Sequence, residues 1–270
     1  VLKGPDKVEL VLLVGEERFS ALAAGKVDLL TRNTTWTFSR DTTTGARFAG
    51  TSYYDGQGFM VPRNRDLRSA LQLADSRVCV QTGTTSQDNA HRYFSTHRMK
   101  LELVPVASPD AMVDAYEQGK CDVMTSDQSQ LYALRTRLAK PAEHEVLPEV
   151  ISREPLGPSV RADDPEWFAI VRWVLFSLIE AEQLDISSAN ATRVREASTS
   201  PATRTLLGAE GNIGEGLRLD ADWFYRVVGR VGNYGEIFER NIGSQSPLGI
   251  KRGLNAPWMD GGLLYSPPMR

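Results

Sequence analysis

The chain has 270 residues, 41% of them hydrophobic and 24% charged, with 31 basic against 34 acidic side chains and a formal net charge of −3. That composition excludes a disordered or fibrous protein, and the length suffices for one large or two ordinary domains with real cores. There is no bulk positive field for nucleic acid, and the longest apolar stretch, Phe168 to Ile179, is interrupted by Arg172 and is too short to span a bilayer.

The chain opens at Val1, with no signal peptide and little ahead of the first strand-like run, Lys7–Val11. A helix is predicted over 16–24, ending at Gly25, followed by a strand over Val27–Leu30. Tyr54–Val61 reads as a crossover in which Gly56 and Gly58 permit unusual dihedrals. Next come a strand (Arg77–Gln81), a Thr82-Gly-Thr-Thr85 turn, a helix (Ser86 to about His97) and a strand over 100–104. A helix over 110–118 ends at Gly119, a strand covers Cys121–Met124 and a helix covers Gln128–Arg137. The chain returns through Val146–Val160, and the rest is helical: Pro165–Gln183, Ala191–Leu207 and Asp222–Val231. On the first of these, Trp167, Ile170, Val171, Val174 and Leu178 share one face and are expected to pack into a core. The Gly- and Pro-rich end, Gly243–Arg270, suggests no function by itself.

Two of these segments repeat each other. Residues 7–31 and 100–125 both read strand, helix, Gly-Lys-hydrophobic-Asp, strand, with Lys7 matching Lys100 and Gly25 matching Gly119. Such βαβ units make parallel strands, and two copies imply two similar α/β lobes. The second copy is preceded by a further strand and helix and the first is not, so lobe 1 is expected to lack its opening unit. The expected organisation is lobe 1 over 1–57, lobe 2 over 58–152, and a return to lobe 1 with a helical tail over 153–270, the two crossovers forming a hinge.

Ligands of open parallel sheets bind beyond the carboxyl ends of the strands. Those ends carry Thr31 to Thr37 and Arg40 in one copy, Thr125, Ser126 and Asp127 in the other, and Thr82 to Thr85 at a helix start. The set offers hydroxyl and N–H donors, guanidinium groups that grip a carboxylate bidentately, and one carboxylate for an ammonium. A small zwitterion, an α-amino acid, fits it. Blander roles stay open: Arg40 pairing with Asp41 at the surface, Thr84 and Thr85 capping a helix, Asp127 capping the next one, Trp36, Tyr53 and Tyr54 packing. His91, His97 and His144 show no metal-ligand spacing, and there is no Gly-x-Ser-x-Gly elbow or phosphate loop.

Thr35-Trp-Thr-Phe-Ser-Arg40, Gln81-Thr-Gly-Thr-Thr85 and Gly119-Lys-Cys-Asp-Val-Met-Thr-Ser-Asp127 resemble ligand motifs of the polar amino-acid-binding proteins of bacterial ABC transporters. Arg32-Asn-Thr-Thr-Trp36, Tyr53-Tyr-Asp-Gly-Gln-Gly-Phe59, Val231 to Asn241 and Arg252-Gly-Leu-Asn-Ala-Pro-Trp258 are similar to the general L-amino-acid and glutamate/glutamine/aspartate/asparagine-binding subfamily. The resemblance implies an α/β, two-lobe periplasmic binding protein fold of type II, with lobe 1 discontinuous and N-terminally truncated. It implies an extracytoplasmic protein, its signal peptide removed, that delivers an amino acid to a membrane permease without chemistry, peripheral to the membrane and needing no cofactor. By resemblance, Arg40, Thr35 and Thr85 would bind the α-carboxylate, with Thr84 as a further donor, and Asp127 the α-ammonium. Arg32 would meet an acidic or amide side chain, or serve only in an ion pair. A periplasmic setting makes a disulfide between Cys79 and Cys121, expected on neighbouring strands, reasonable. A dehydratase acting on prephenate-like acids and a ligand-sensing module share the fold and are the alternatives. A lobe lacking a strand is also expected to expose an edge that favours non-native dimers.

Overall fold

The computed structural model describes residue 2 and residues 4–269, with the side chain of Pro5 left aside. Its strands are β1 (Ala46–Phe48), β2 (Tyr53–Asp55), β3 (Gln57–Pro62), β4 (Arg77–Gln81), β5 (Glu102–Val106), β6 (Val123–Asp127), β7 (His144–Val146), β8 (Glu154–Leu156) and β9 (Ser159–Arg161). Its α-helices are α1 (Arg18–Ala23), α2 (Phe38–Thr43), α3 (Ser86–Thr96), α4 (Pro109–Glu117), α5 (Gln128–Arg135), α6 (Pro165–Gln183), α7 (Ala191–Ala197), α8 (Pro201–Leu206), α9 (Trp223–Val231) and α10 (Tyr234–Asn241).

Contacts group the chain into two units: Val1–Val11, Ala46–Ser52 and Pro158–Arg270 in one, Leu12–Gly45 and Tyr53–Gly157 in the other. The breaks after Ser52 and Gly157 fall close to the two expected crossovers. Residues 12–45, expected with the first lobe, instead cluster with 53–157. Their contacts explain this: residues 34–36 lie along β8, with Trp36 N–H donating to Pro155 O at 2.8 Å and Gly157 N–H to Thr34 O at 3.2 Å.

The second unit is built on a five-stranded sheet in the order β5-β4-β6-β3-β7. β4 runs parallel to β5 and β6, whereas β3 is antiparallel to β6 and β7. Side chains alternate across it, as a period of two requires. Met60, Cys79 and Met124 face a core shared with α4 and α5, and Phe59, Val61, Val78 and Val123 face another that includes Phe94 of α3. The second copy of the repeat forms as expected: β5, α4 capped by the Ser108 hydroxyl, and β6. Gly25 and Gly119 both adopt positive φ, +68° and +67°, the left-handed stop that a side chain would strain.

The first copy keeps only its helix. Residues 7–14 belong to no strand, and Leu10 and Leu12 are 88% and 99% exposed. Val27–Leu30 is reduced to a bridge at Leu30. A strand persists only where a neighbour takes its N–H and C=O groups, and β1 and β2, next in the chain, pair instead with β9 and β8.

Cys79 on β4 and Cys121 just before β6 are disulfide-bonded with Cα atoms 5.6 Å apart. The parallel β4–β6 pairing brings them together.

In the other unit, α6 runs over the predicted residues, but its buried stripe is Phe168, Val171, Leu175 and Ile179. Of the predicted face Val171 is buried and Val174 packs half-buried against the core, while Trp167, Ile170 and Leu178 flank the stripe, because two adjacent faces of this helix are apolar. The predicted helix over Ala191–Leu207 is two helices, broken at Ser198–Ser200 ahead of Pro201. The tail docks through Arg252, whose guanidinium binds Glu182 bidentately at 2.8 and 3.0 Å and lies over Tyr234 and Phe238.

Candidate functional site

All six residues singled out in the sequence, Arg32, Thr35, Arg40, Thr84, Thr85 and Asp127, line one cavity, and all belong to the second unit. The chain's local chemistry explains their placement. Thr35 bridges Leu156, which lays its hydroxyl beside the start of β8. Arg40 sits in the first turn of α2, whose N-terminus is capped by Thr37 Oγ1, and its Nη1 donates to Thr35 O at 3.0 Å. Thr85 precedes α3, and Gln57 Nε2 pins that helix start by donating to Ser86 O at 3.0 Å and to Thr125 Oγ1 at 2.8 Å.

Asp127 closes β6 and is 6% exposed. It makes no side-chain cap to α5, although it stands at the capping position. Asn33 Nδ2 donates to its Oδ2 at 3.1 Å. Burial and the nearby carboxylates of Asp55 and Glu154 raise its pKa to about 7, against the opposing pull of Asn33 and Arg40. Thr84 has a local role: its hydroxyl donates to Gln81 O at 2.7 Å and accepts from Ser86 N–H. Arg32 donates to Leu13 O at 3.1 Å, and burial lowers its pKa while Asp127 raises it.

Two residues central to this cluster carry no signal in the sequence patterns. Arg18, 2% exposed, lines the same cavity with its Nε unpaired and its Nη2 3.4 Å from Gly83 O. Burial and the neighbouring guanidiniums of Arg40 and Arg32 lower its pKa to about 9. Glu154, also 2% exposed, stands opposite Asp55 in the β2–β8 pair. Its Oε2 accepts from Thr35 Oγ1 at 2.5 Å and Thr85 Oγ1 at 3.0 Å, and its Oε1 from Ser152 Oγ at 2.6 Å and Asn89 Nδ2 at 2.7 Å. Arg40, whose pKa burial lowers, feels Glu154 as its strongest attractive neighbour. Only the pairing of 34–36 and 53–55 with β8, invisible in local periodicity, brings Glu154 here.

The side chains close around about 10 Å³ of space, roughly one water's worth. Thr35, Arg40, Thr84 and Thr85 also face a neighbouring cleft of about 790 Å³, lined further by Asn89, Arg92, Tyr93, Ser152 and Glu154. Arg18, Arg32, Arg40 and Asp127 thus share one small cavity, and Arg40 and Glu154 also line a neighbouring cleft large enough for an amino acid. Among the described residues there is no cluster of side chains able to hold a metal ion, and no helix is long and apolar enough to cross a membrane.

No protein-family model matches the chain. It is 48% identical over 272 residues to AapJ of Rhizobium johnstonii, a general L-amino acid-binding periplasmic protein, covering 100% of this chain and 80% of AapJ. It is also 51% identical over 264 residues to YhdW of Escherichia coli K12, a putative amino-acid ABC transporter-binding protein, covering 98% of this chain and 77% of YhdW. The chain belongs to the solute-binding proteins of amino-acid ABC transporters. A further relative is BztA of Rhodobacter capsulatus, named for binding glutamate, glutamine, aspartate and asparagine, at 46% identity over 270 residues, 100% of this chain and 80% of BztA. Among solved structures, a periplasmic binding protein of an ABC transporter from Brucella ovis, with glutathione bound, superposes with a TM-score of 0.96 at 49% identity, covering 98% of this chain and 84% of that one. The fold is therefore the type II periplasmic binding protein fold, and these relatives of the solute-binding family are named for binding and transport rather than for catalysis.

Proposed function

We propose that this solute-binding protein takes up an L-α-amino acid in the periplasm through the Arg40–Asp127 cluster and delivers it to a permease without chemical change. The supporting observation is the convergence of all six sequence-identified residues on one buried cavity beside an open cleft. Arg40 takes the α-carboxylate with the hydroxyls of Thr35 and Thr85, and Asp127 takes the α-ammonium. In a buried site each pairing is far stronger than in water. Thr84 shapes the helix start. Arg32 and Arg18 supply positive charge for an acidic or amide side chain, in keeping with the ligands for which BztA is named. The glutathione of the Brucella relative is consistent with this, since its γ-glutamyl residue keeps a free α-amino and α-carboxyl group. The Cys79–Cys121 bond suits the oxidising periplasm.

Calorimetric titration with the twenty L-amino acids, and with analogues lacking either the carboxyl or the amino group, tests this. Binding of the acidic or amide amino acids and loss of affinity for both kinds of analogue is the expected result. Equal affinity for an analogue lacking one charge would refute the two-ended recognition.

A further inference from the structure

We propose that Glu154 is a tethered occupant of the carboxylate subsite, which an incoming ligand's carboxylate must displace. The proposal rests on the amino-acid reading above for the ligand, and on hydrogen bonds alone for the subsite. Four donors converge on this one buried carboxylate: Thr35 Oγ1, Thr85 Oγ1, Ser152 Oγ and Asn89 Nδ2, all at 2.5–3.0 Å. They come from three segments: Thr35, the start of α3 (Thr85 and Asn89), and Ser152, two residues before Glu154. The constellation is therefore a built carboxylate site. Arg40, the guanidinium assigned to the ligand, has Glu154 as its strongest attractive neighbour.

Each threonine hydroxyl has one proton to donate. While Thr35 and Thr85 donate to Glu154, neither donates to a ligand. Glu154 also faces the 790 Å³ cleft, whereas the cavity beyond the threonines has only about 10 Å³. A ligand carboxylate arriving from the cleft, which Glu154 lines together with Thr35, Arg40 and Thr85, competes for the same donors. Two carboxylates cannot share them without strong repulsion. Glu154 is thus a determinant of affinity: it satisfies these buried donors until a ligand takes them and weakens every carboxylate ligand by the cost of its own displacement.

Truncating Glu154→Ala removes Cγ and the carboxyl group, a fragment the size and shape of acetate. Acetate is therefore expected to raise the melting temperature of Glu154→Ala in a concentration-dependent way, with no comparable effect on the wild type and none from acetamide. Glu154→Gln keeps the volume, so it serves if the alanine variant fails to fold. It is expected to bind an amino-acid ligand at least tenfold more tightly than the wild type by calorimetry. Equal acetate stabilisation of wild type and variant, or unchanged or weaker ligand affinity in the variants while the wild type binds, would overturn the proposal. If no form of the protein binds an amino acid yet acetate rescues Glu154→Ala, the amino-acid reading fails and the carboxylate subsite stands.

Discussion

Asp127→Asn should stabilise the protein at pH 8 while destroying its ligand site. The carboxyl group is buried, and burial together with Asp55 and Glu154 raises its pKa from 3.8 to about 7. A carboxyl with a raised folded-state pKa binds more protons folded than unfolded between those two values. Its contribution to stability is fully present below about pH 4 and is lost as pH rises through about 7. A shift of about three pKa units corresponds to about 4 kcal/mol. The isosteric amide carries no such burden and still accepts from Asn33. The difference between variant and wild-type unfolding free energies, measured by urea denaturation from pH 4 to 8, should therefore grow by about 4 kcal/mol. Taking the difference cancels the titrating groups that do not interact with Asp127. A flat difference, or a variant less stable than the wild type at pH 8, would refute the burial argument. In the wild type the same titration should make amino-acid affinity fall as pH drops below 7, since only the carboxylate pairs with an ammonium.

Reducing the Cys79–Cys121 bond, whose partners are 42 residues apart, should lower stability by about 4 kcal/mol by the chain-entropy argument, measured as urea unfolding with and without reductant. Arg252→Ala should cost about 2–3 kcal/mol in the same assay, because it leaves the mostly buried Glu182 carboxylate without its bidentate partner and strips a guanidinium from over Tyr234 and Phe238. Arg18→Met should be neutral or stabilising by about 1 kcal/mol, since a buried guanidinium with an unpaired Nε and one long hydrogen bond is replaced by an apolar chain of similar length; a loss above about 2 kcal/mol would show that Arg18 is better paired than the structure indicates.

The sequence was legible where the physics is local. The second βαβ unit, the positive-φ glycines and α6 over Pro165–Gln183 follow from periodicity, turn chemistry and parallel-strand rules, whereas the Cys79–Cys121 bond is expected from the periplasmic setting that the family resemblance implies. The carboxyl-end rule pointed to six candidate residues, and to Asn33 and Ser126, that line one cavity, although the strand it assumed over Val27–Leu30 is only a bridge. It failed where long-range pairing decides. Residues 7–11 have the apolar pattern of a strand but pair with no strand among the described residues, so they form none. Glu154 lies in a crossover whose role depends on β8 meeting β2 and Thr35, and Arg18 heads a short helix with nothing in its spacing to mark it. On α6, two adjacent apolar faces share the same period, and only packing selects Phe168, Val171, Leu175 and Ile179.

On the proposed reading, Arg40 and Asp127 hold the two charged ends of an L-amino acid. Calorimetric titration of the wild type, Arg40→Ala and Asp127→Ala with an amino acid that the wild type binds tests it most directly. Each variant is expected to lose affinity by about 100-fold or more, because one partner of a buried ion pair is removed. Unchanged affinity in either variant would contradict it.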